Sequence, residues 1–304
     1  MTEDLDWSTV QQDTGLFIQK PTQATDWRKF KLAQTQIDQY FRNGFLAPIK
    51  VLNDEECDLL LEDYKKFIES DGHPYFYEFH KNQTGDSNNV LMHALGHWRI
   101  TRAFHDLIYH PAICVPSSQL ISGDNVECSV RFWHDQLFAK PAKYGGCVAW
   151  HQDYSYWTRT YPMKHLTIHI ALDDQTEENG CIHYIPGSHR WNRDGKPLPV
   201  TDFNFKNMES IKTILTKDEK QKFFPTPCKL KRGEVSFHHP LAVHGSYPNR
   251  FVVRLIEDSC ELHTKSTFNF VKQDFFYLTR ISKSKNFRFL GILKIKTFFS
   301  GVKF

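Results

Sequence analysis

The stretch "HLTIHIALDDQTEENGCIHYIPGSHRW", residues 165–191, decides the fold class. From His165 to Ala171 polar and apolar side chains alternate, the two-residue period of an extended strand with two different faces. Asn179–Gly180 predicts a hairpin turn, because both residues tolerate positive φ, and Pro186–Gly187 predicts a break. The same texture runs to either side. "VECSVRFWHDQLFAKP" (126–141) reads as a strand closed by Pro141, with Gly145 and Gly146 breaking the chain before the next one. "CKLKRGEVSFHHPLAVHGSYPN" (228–249) reads as strand, glycine turn, strand. Short antiparallel strands with a turn every ten residues or so indicate a sandwich or barrel.

Upstream, residues 36–70 hold two helical patterns around a strand-like piece. Asn53 suits an N-cap, and Asp54, Glu55 and Glu56 suit the positive end of the helix dipole. Leu59, Leu60, Tyr64 and Phe67 follow at helical spacing. Both helices are expected to cover one side of a sheet. Residues 202–224 read as a polar helical insertion. With no internal repeat and no clear linker, residues 1–250 are expected to form one domain.

A 304-residue chain with 25 Phe can fill a sizeable core. Its net charge of +3 is too small to point to nucleic acid. Residues 251–304, however, hold ten Lys/Arg and four Asp/Glu, a net of +6, which leaves −3 for residues 1–250. That tail also holds ten of the 25 Phe and keeps neither a helical nor a strand period, so no structure is assigned to it. Seven scattered cysteines without a CxxC pair read as reduced thiols. The acidic start "MTEDLDWSTV" lacks the apolar core of a signal peptide, and no apolar run reaches the roughly 18 residues of a membrane span. The final "GVKF" is neither a peroxisomal nor a reticulum-retention signal. A cytoplasmic protein with no membrane span, monomeric by default, is expected.

In "VAWHQDYSYW" (148–157), His151 and Asp153 stand two apart, so on an extended strand both point to one side while Gln152 faces away. His244, 91 residues after Asp153 in "HHPLAVHGSYPN", is the best third ligand, with His238 and His239 as rivals. His183 and His189 read as turn or surface residues. Two imidazoles and one carboxylate on one face of a metal leave the opposite face open, the arrangement of non-haem Fe(II) oxygenases; zinc accepts the same donors.

"DQLFAKP", "HQDYSYW", "PMKHLTIHIALDD", "ENGCIHYIPGSHRW" and "GEVSFHHPLAVHGSYPNR" together resemble the phytanoyl-CoA dioxygenase family over about residues 35–250, in order and with family-like spacing. The resemblance implies a mainly β fold with flanking helices, a double-stranded β-helix (a jelly-roll, cupin-like barrel). It implies Fe(II), 2-oxoglutarate and dioxygen, with ascorbate as an optional reductant, and hydroxylation of a small-molecule or acyl-type substrate with release of succinate and CO2. Carried over by position, His151, Asp153 and His244 are the iron ligands, and Gln136, Lys140, His169 and Ser246 line the 2-oxoglutarate pocket.

The family also sets an arginine about eleven residues after the distal histidine. Here Arg254 stands ten residues after His244 and Arg250 six. A one-residue slip turns a strand side chain to the other face, so Arg254 fits only with a bulge. The resemblance stops at this point, where the charge balance also shifts. The second reading is therefore a catalytically silent member or variant isoform, keeping barrel and metal site but impaired in 2-oxoglutarate binding.

Overall fold

The computed structural model describes residues 5–17, 23–69, 72–122, 129–156, 163–201, 207–251, 255–264 and 291–299. Helices are α1 (Ala24–Trp27), α2 (Gln34–Asn43), α3 (Asp54–Ile68), α4 (Arg102–Leu107), α5 (Pro111–Ser122) and α6 (Lys217–Gln221). Strands are β1 (Phe45–Lys50), β2 (Glu78–His80), β3 (Met92–Leu95), β4 (Arg131–Lys140), β5 (Val148–His151) and β6 (His165–Ala171). They continue as β7 (Ile182–Tyr184), β8 (Thr226–Pro227), β9 (Glu234–His238), β10 (His244–Ser246), β11 (Leu255–Thr264) and β12 (Gly291–Phe299).

The strands make a large sheet of order β2-β3-β4-β12-β11-β6, with β11 also registered on β4, and a small sheet of order β5-β10-β7-β8. β1 and β9 pair antiparallel, and β9 lies against β6. Among the described residues the strands do not close into a continuous barrel. β11 and β12 fall in the tail to which the sequence assigned no element.

Burial follows the strand period. Leu137 and Ala139 of β4 join the main core with Leu60 and Phe104 from the helices, while Phe138 turns the other way to meet Leu91 and Val148. Trp150 of β5 faces a separate cluster with Met208, Ile211, Leu215 and Phe223 behind the small sheet. The insertion expected to be helical supplies this cover as a 3-10 helix, Met208–Thr213, and the single short helix α6; residues 202–206 lie outside the described residues. Asn53 caps α3 as expected, accepting from Glu56 N at 2.8 Å.

Two expectations are corrected. Gly180 does adopt positive φ (83°), yet no hairpin forms, because β6 belongs to the large sheet and β7 to the small one. The turn is a corner between sheets, and a Cβ on Gly180 would lie 2.4 Å from Tyr247 O. His183 is a buried strand residue on β7 rather than a turn or surface residue, and burial holds its imidazole below the usual range.

The turn after Pro186 caps α2. Gly187 N donates to Asn43 O at 2.7 Å, and Arg190 Nη1 to Arg42 O at 3.0 Å. His189 packs on His239 with ring centroids 5.3 Å apart. Burial pushes His189 down to about 4 and His239 to about 3. Both folded pKa values lie below the unfolded value, so the unfolded chain binds protons first and stability drops as pH falls below about 6.5. The melting temperature is expected to fall between pH 7 and pH 5, with a shallower slope in His239→Asn, read by calorimetry across that range.

Candidate metal centre

β5 ends at His151, and Gln152 stays extended (φ −110°, ψ 130°) before the 3-10 turn Asp153–Ser155. Asp153 therefore emerges on the side of His151 although it is no longer in the strand. Gln152 points away, donating to Trp191 O (3.0 Å) and Leu241 O (2.8 Å) and accepting from Leu198 N (2.8 Å). On the neighbouring strand β10, His244 is the register partner of His151. The ligating atoms of His151, Asp153 and His244 all lie within 4.8 Å of one another, and all three residues are buried.

The remaining atoms of these side chains are committed in a way that aims the donors. The Nδ1–H of His151 donates to Ala149 O at 2.8 Å and that of His244 to Ala242 O at 2.9 Å, which leaves each Nε2 lone pair pointing inward. These nitrogens stand 3.4 and 3.6 Å from Asp153 Oδ1. Asp153 Oδ2 accepts from Thr167 Oγ1 at 2.6 Å and from His238 Nε2 at 3.1 Å. The His238 ring is set in turn by Tyr184 OH, 2.9 Å from its Nδ1, and Tyr184 OH meets Ser236 Oγ at 2.8 Å. Metal–ligand bonds of about 2.1 Å at right angles would separate donors by about 3 Å, so a small inward closure fits a first-row dication.

Of the residues expected to bind a co-substrate, Lys140 and Ser246 meet beside this point. Lys140 is fully buried, and its ammonium donates to Ser246 Oγ (2.5 Å) and Tyr247 O (2.7 Å). Ser246 follows His244 by two residues on β10, so the two share a face. Gln136 is buried on the face of β4 that carries Lys140. His169 is buried on β6 and donates through Nε2 to Gln175 Oε1 at 2.8 Å. Arg254 lies outside the described residues. Arg250 is exposed, and its guanidinium donates to Asn88 O (3.0 Å), Lys143 O (3.3 Å) and Asn89 Oδ1 (2.6 Å).

Of the rival histidines, His238 does reach the site, as a donor to Asp153, whereas His239 packs on Tyr40 and His189. Sequence reading passed over Thr167 and Tyr184. Thr167 left one signal, a hydroxyl in phase with His165 and His169 on an alternating strand. Burial and the Asp153 charge hold the Tyr156 phenol above its usual range, and its ring lies 5.9 Å from that of His151.

Two facing sheets, with a histidine–aspartate–histidine cluster between them whose geometry could hold a metal ion, define a protein of the double-stranded β-helix class. The family model described as phytanoyl-CoA dioxygenase (PhyH) matches residues 40–250. The chain belongs to the phytanoyl-CoA dioxygenase family. A probable alpha-ketoglutarate-dependent hypophosphite dioxygenase of Stutzerimonas stutzeri is 27% identical over 226 residues, covering 71% of this chain and 73% of that protein. A phytanoyl-CoA dioxygenase domain-containing protein 1 homolog of Dictyostelium discoideum is 27% identical over 250 residues, covering 72% and 86%. Among solved structures, the non-heme alpha ketoglutarate dependent carbocyclase SnoK superposes with a TM-score of 0.61 at 20% identity, over 79% of this chain and 86% of that one. EctD from S. alaskensis superposes with a TM-score of 0.58 at 18% identity, over 75% of each. These likenesses show the fold.

Thr167→Val and His238→Ala each remove one hydrogen bond to Asp153 Oδ2. Each is expected to weaken divalent-metal binding by roughly 10–100-fold while the fold persists. Calorimetric titration with Mn(II) checks this.

Proposed function

We propose that the chain is an Fe(II)- and 2-oxoglutarate-dependent dioxygenase that hydroxylates a small organic or lipid-like substrate. One observation carries the reading: two imidazole Nε2 atoms and Asp153 Oδ1 converge within 4.8 Å, while the other polar atoms of the three side chains are held elsewhere. Bound Fe(II), with 2-oxoglutarate and dioxygen, supplies the oxidative chemistry that yields succinate, CO2 and a hydroxylated product.

The chain's own residues do the positioning. His151 and His244 present neutral nitrogens and Asp153 a single negative charge, so the loaded site keeps a net positive charge that draws in an anionic oxoacid. Lys140 and Ser246 provide an ammonium and a hydroxyl for the far carboxylate, a charge-assisted contact in a buried place. Lys140 takes the anchoring role that the resemblance gives to an arginine. Gln136 and His169 serve in this reading as pocket walls. Burial of the cluster keeps water from competing for the reacting atoms. Relatives bearing the names of hypophosphite and ectoine dioxygenases support a small-molecule substrate. No helix among the described residues is long and apolar enough to cross a membrane.

Purified chain supplied with Fe(II) is expected to convert 2-oxoglutarate to succinate, and His151→Ala or Asp153→Ala to abolish that turnover. Undiminished turnover in either variant removes these ligands from the account. Lys140→Met is expected to raise the KM for 2-oxoglutarate at least about tenfold by deleting one charge-assisted hydrogen bond. Metal binding with no 2-oxoglutarate binding in the unaltered chain would support the silent reading instead.

A further inference from the structure

We infer that the chain carries a second divalent-cation site, formed by Glu78, His80 and His93 at the edge of the large sheet. It is separate from the centre around Asp153 and rests on different strands. β2 and β3 pair antiparallel with His80 directly opposite His93, and Glu78 lies two residues before His80 on the same face. The ligating atoms of all three lie within 4.8 Å of one another. Glu78 Oε2 is 3.9 Å from His80 Nε2, and the two imidazoles are nearly parallel, 13° apart with centroids separated by 6.2 Å.

The three donors divide by mobility. His93 is buried and packs on Phe138 at 4.6 Å, so its ring is fixed by the sheet. Glu78 and His80 are exposed, so their side chains have room to close around an ion. Two imidazole nitrogens and one carboxylate oxygen, with water at the fourth position, make a tetrahedral set suited to Zn(II). An exposed glutamate–histidine contact at this distance contributes little by itself.

The ligands bracket the 81–92 connection, so a bound cation fastens that loop at its base. The loop in turn holds the approach to β5: Gly146 N donates to Val90 O at 2.8 Å, and Arg250 donates to Asn88 O and Asn89 Oδ1. The site is a structural clip on the segment that leads into His151.

The test is a titration of the full, tag-free and metal-stripped chain with Zn(II). Glu78→Gln and His80→Ala alter exposed side chains and leave the fold intact, as circular dichroism would verify. Each is expected to remove one equivalent of Zn(II) that His151→Ala retains. In a His151→Ala background, Zn(II) is expected to protect the 81–92 loop from limited proteolysis, and adding His80→Ala to abolish that protection. Binding that His151→Ala eliminates completely, or an equivalent in His151→Ala that survives the addition of either Glu78→Gln or His80→Ala, overturns the site.

Discussion

The Asp153 carboxylate is the constraint on which the centre depends. It is almost wholly buried, and an ionised carboxylate in that position is costly unless hydrogen bonds and a cation compensate it. Thr167 and His238 supply the hydrogen bonds from β6 and β9, across from the small-sheet strands β5 and β10 that carry the two imidazoles. Asp153 thus ties one layer to the other through Oδ2 and leaves Oδ1 for the two histidines. Its position is set by both sheets at once.

Close packing around β10 holds His244 opposite His151. β10 lies between β5 and β7, and its central residue is Gly245. A Cβ there would sit 2.8 Å from Val148 O and 3.2 Å from Met208 Cε, so a side chain would push the strand off its neighbours and carry His244 away from His151. The carbonyls that fix the ligand rings, Ala149 O and Ala242 O, each belong to the residue two before the histidine they orient. Ring orientation is therefore a local property of each strand end, while ring separation is a property of their pairing.

Much of this was legible in the residues, for identifiable reasons. The helix around Asn53 could be read because its cap and its spacing are local. The shared direction of His151 and Asp153 could be read because extended backbone alternates sides, and Gln152 kept that geometry past the end of the strand. Partners distant in sequence were harder. Asn179–Gly180 has the chemistry of a hairpin turn, and nothing local says that the following strand joins a different sheet. His183 resembled a turn histidine for the same reason. His238 was in view as a rival ligand, but its role as a donor to Asp153 depends on β9 reaching across the layers. The pairing of β11 with β4 was hidden because the tail carries no clean period.

The two-sidedness of β5 has a consequence for how such a scaffold diversifies. Trp150 and Gln152 are committed to one side, His151 and Asp153 to the other, within four consecutive positions. A single insertion or deletion here would exchange the two sets, placing an indole beside His244 and an imidazole in apolar packing. The pitch of the ligands is thereby locked to the integrity of the core. Chemical novelty in a lineage built on this plan has to enter through the connecting segments around the opening, where lengths can drift without disturbing what the strand holds in place.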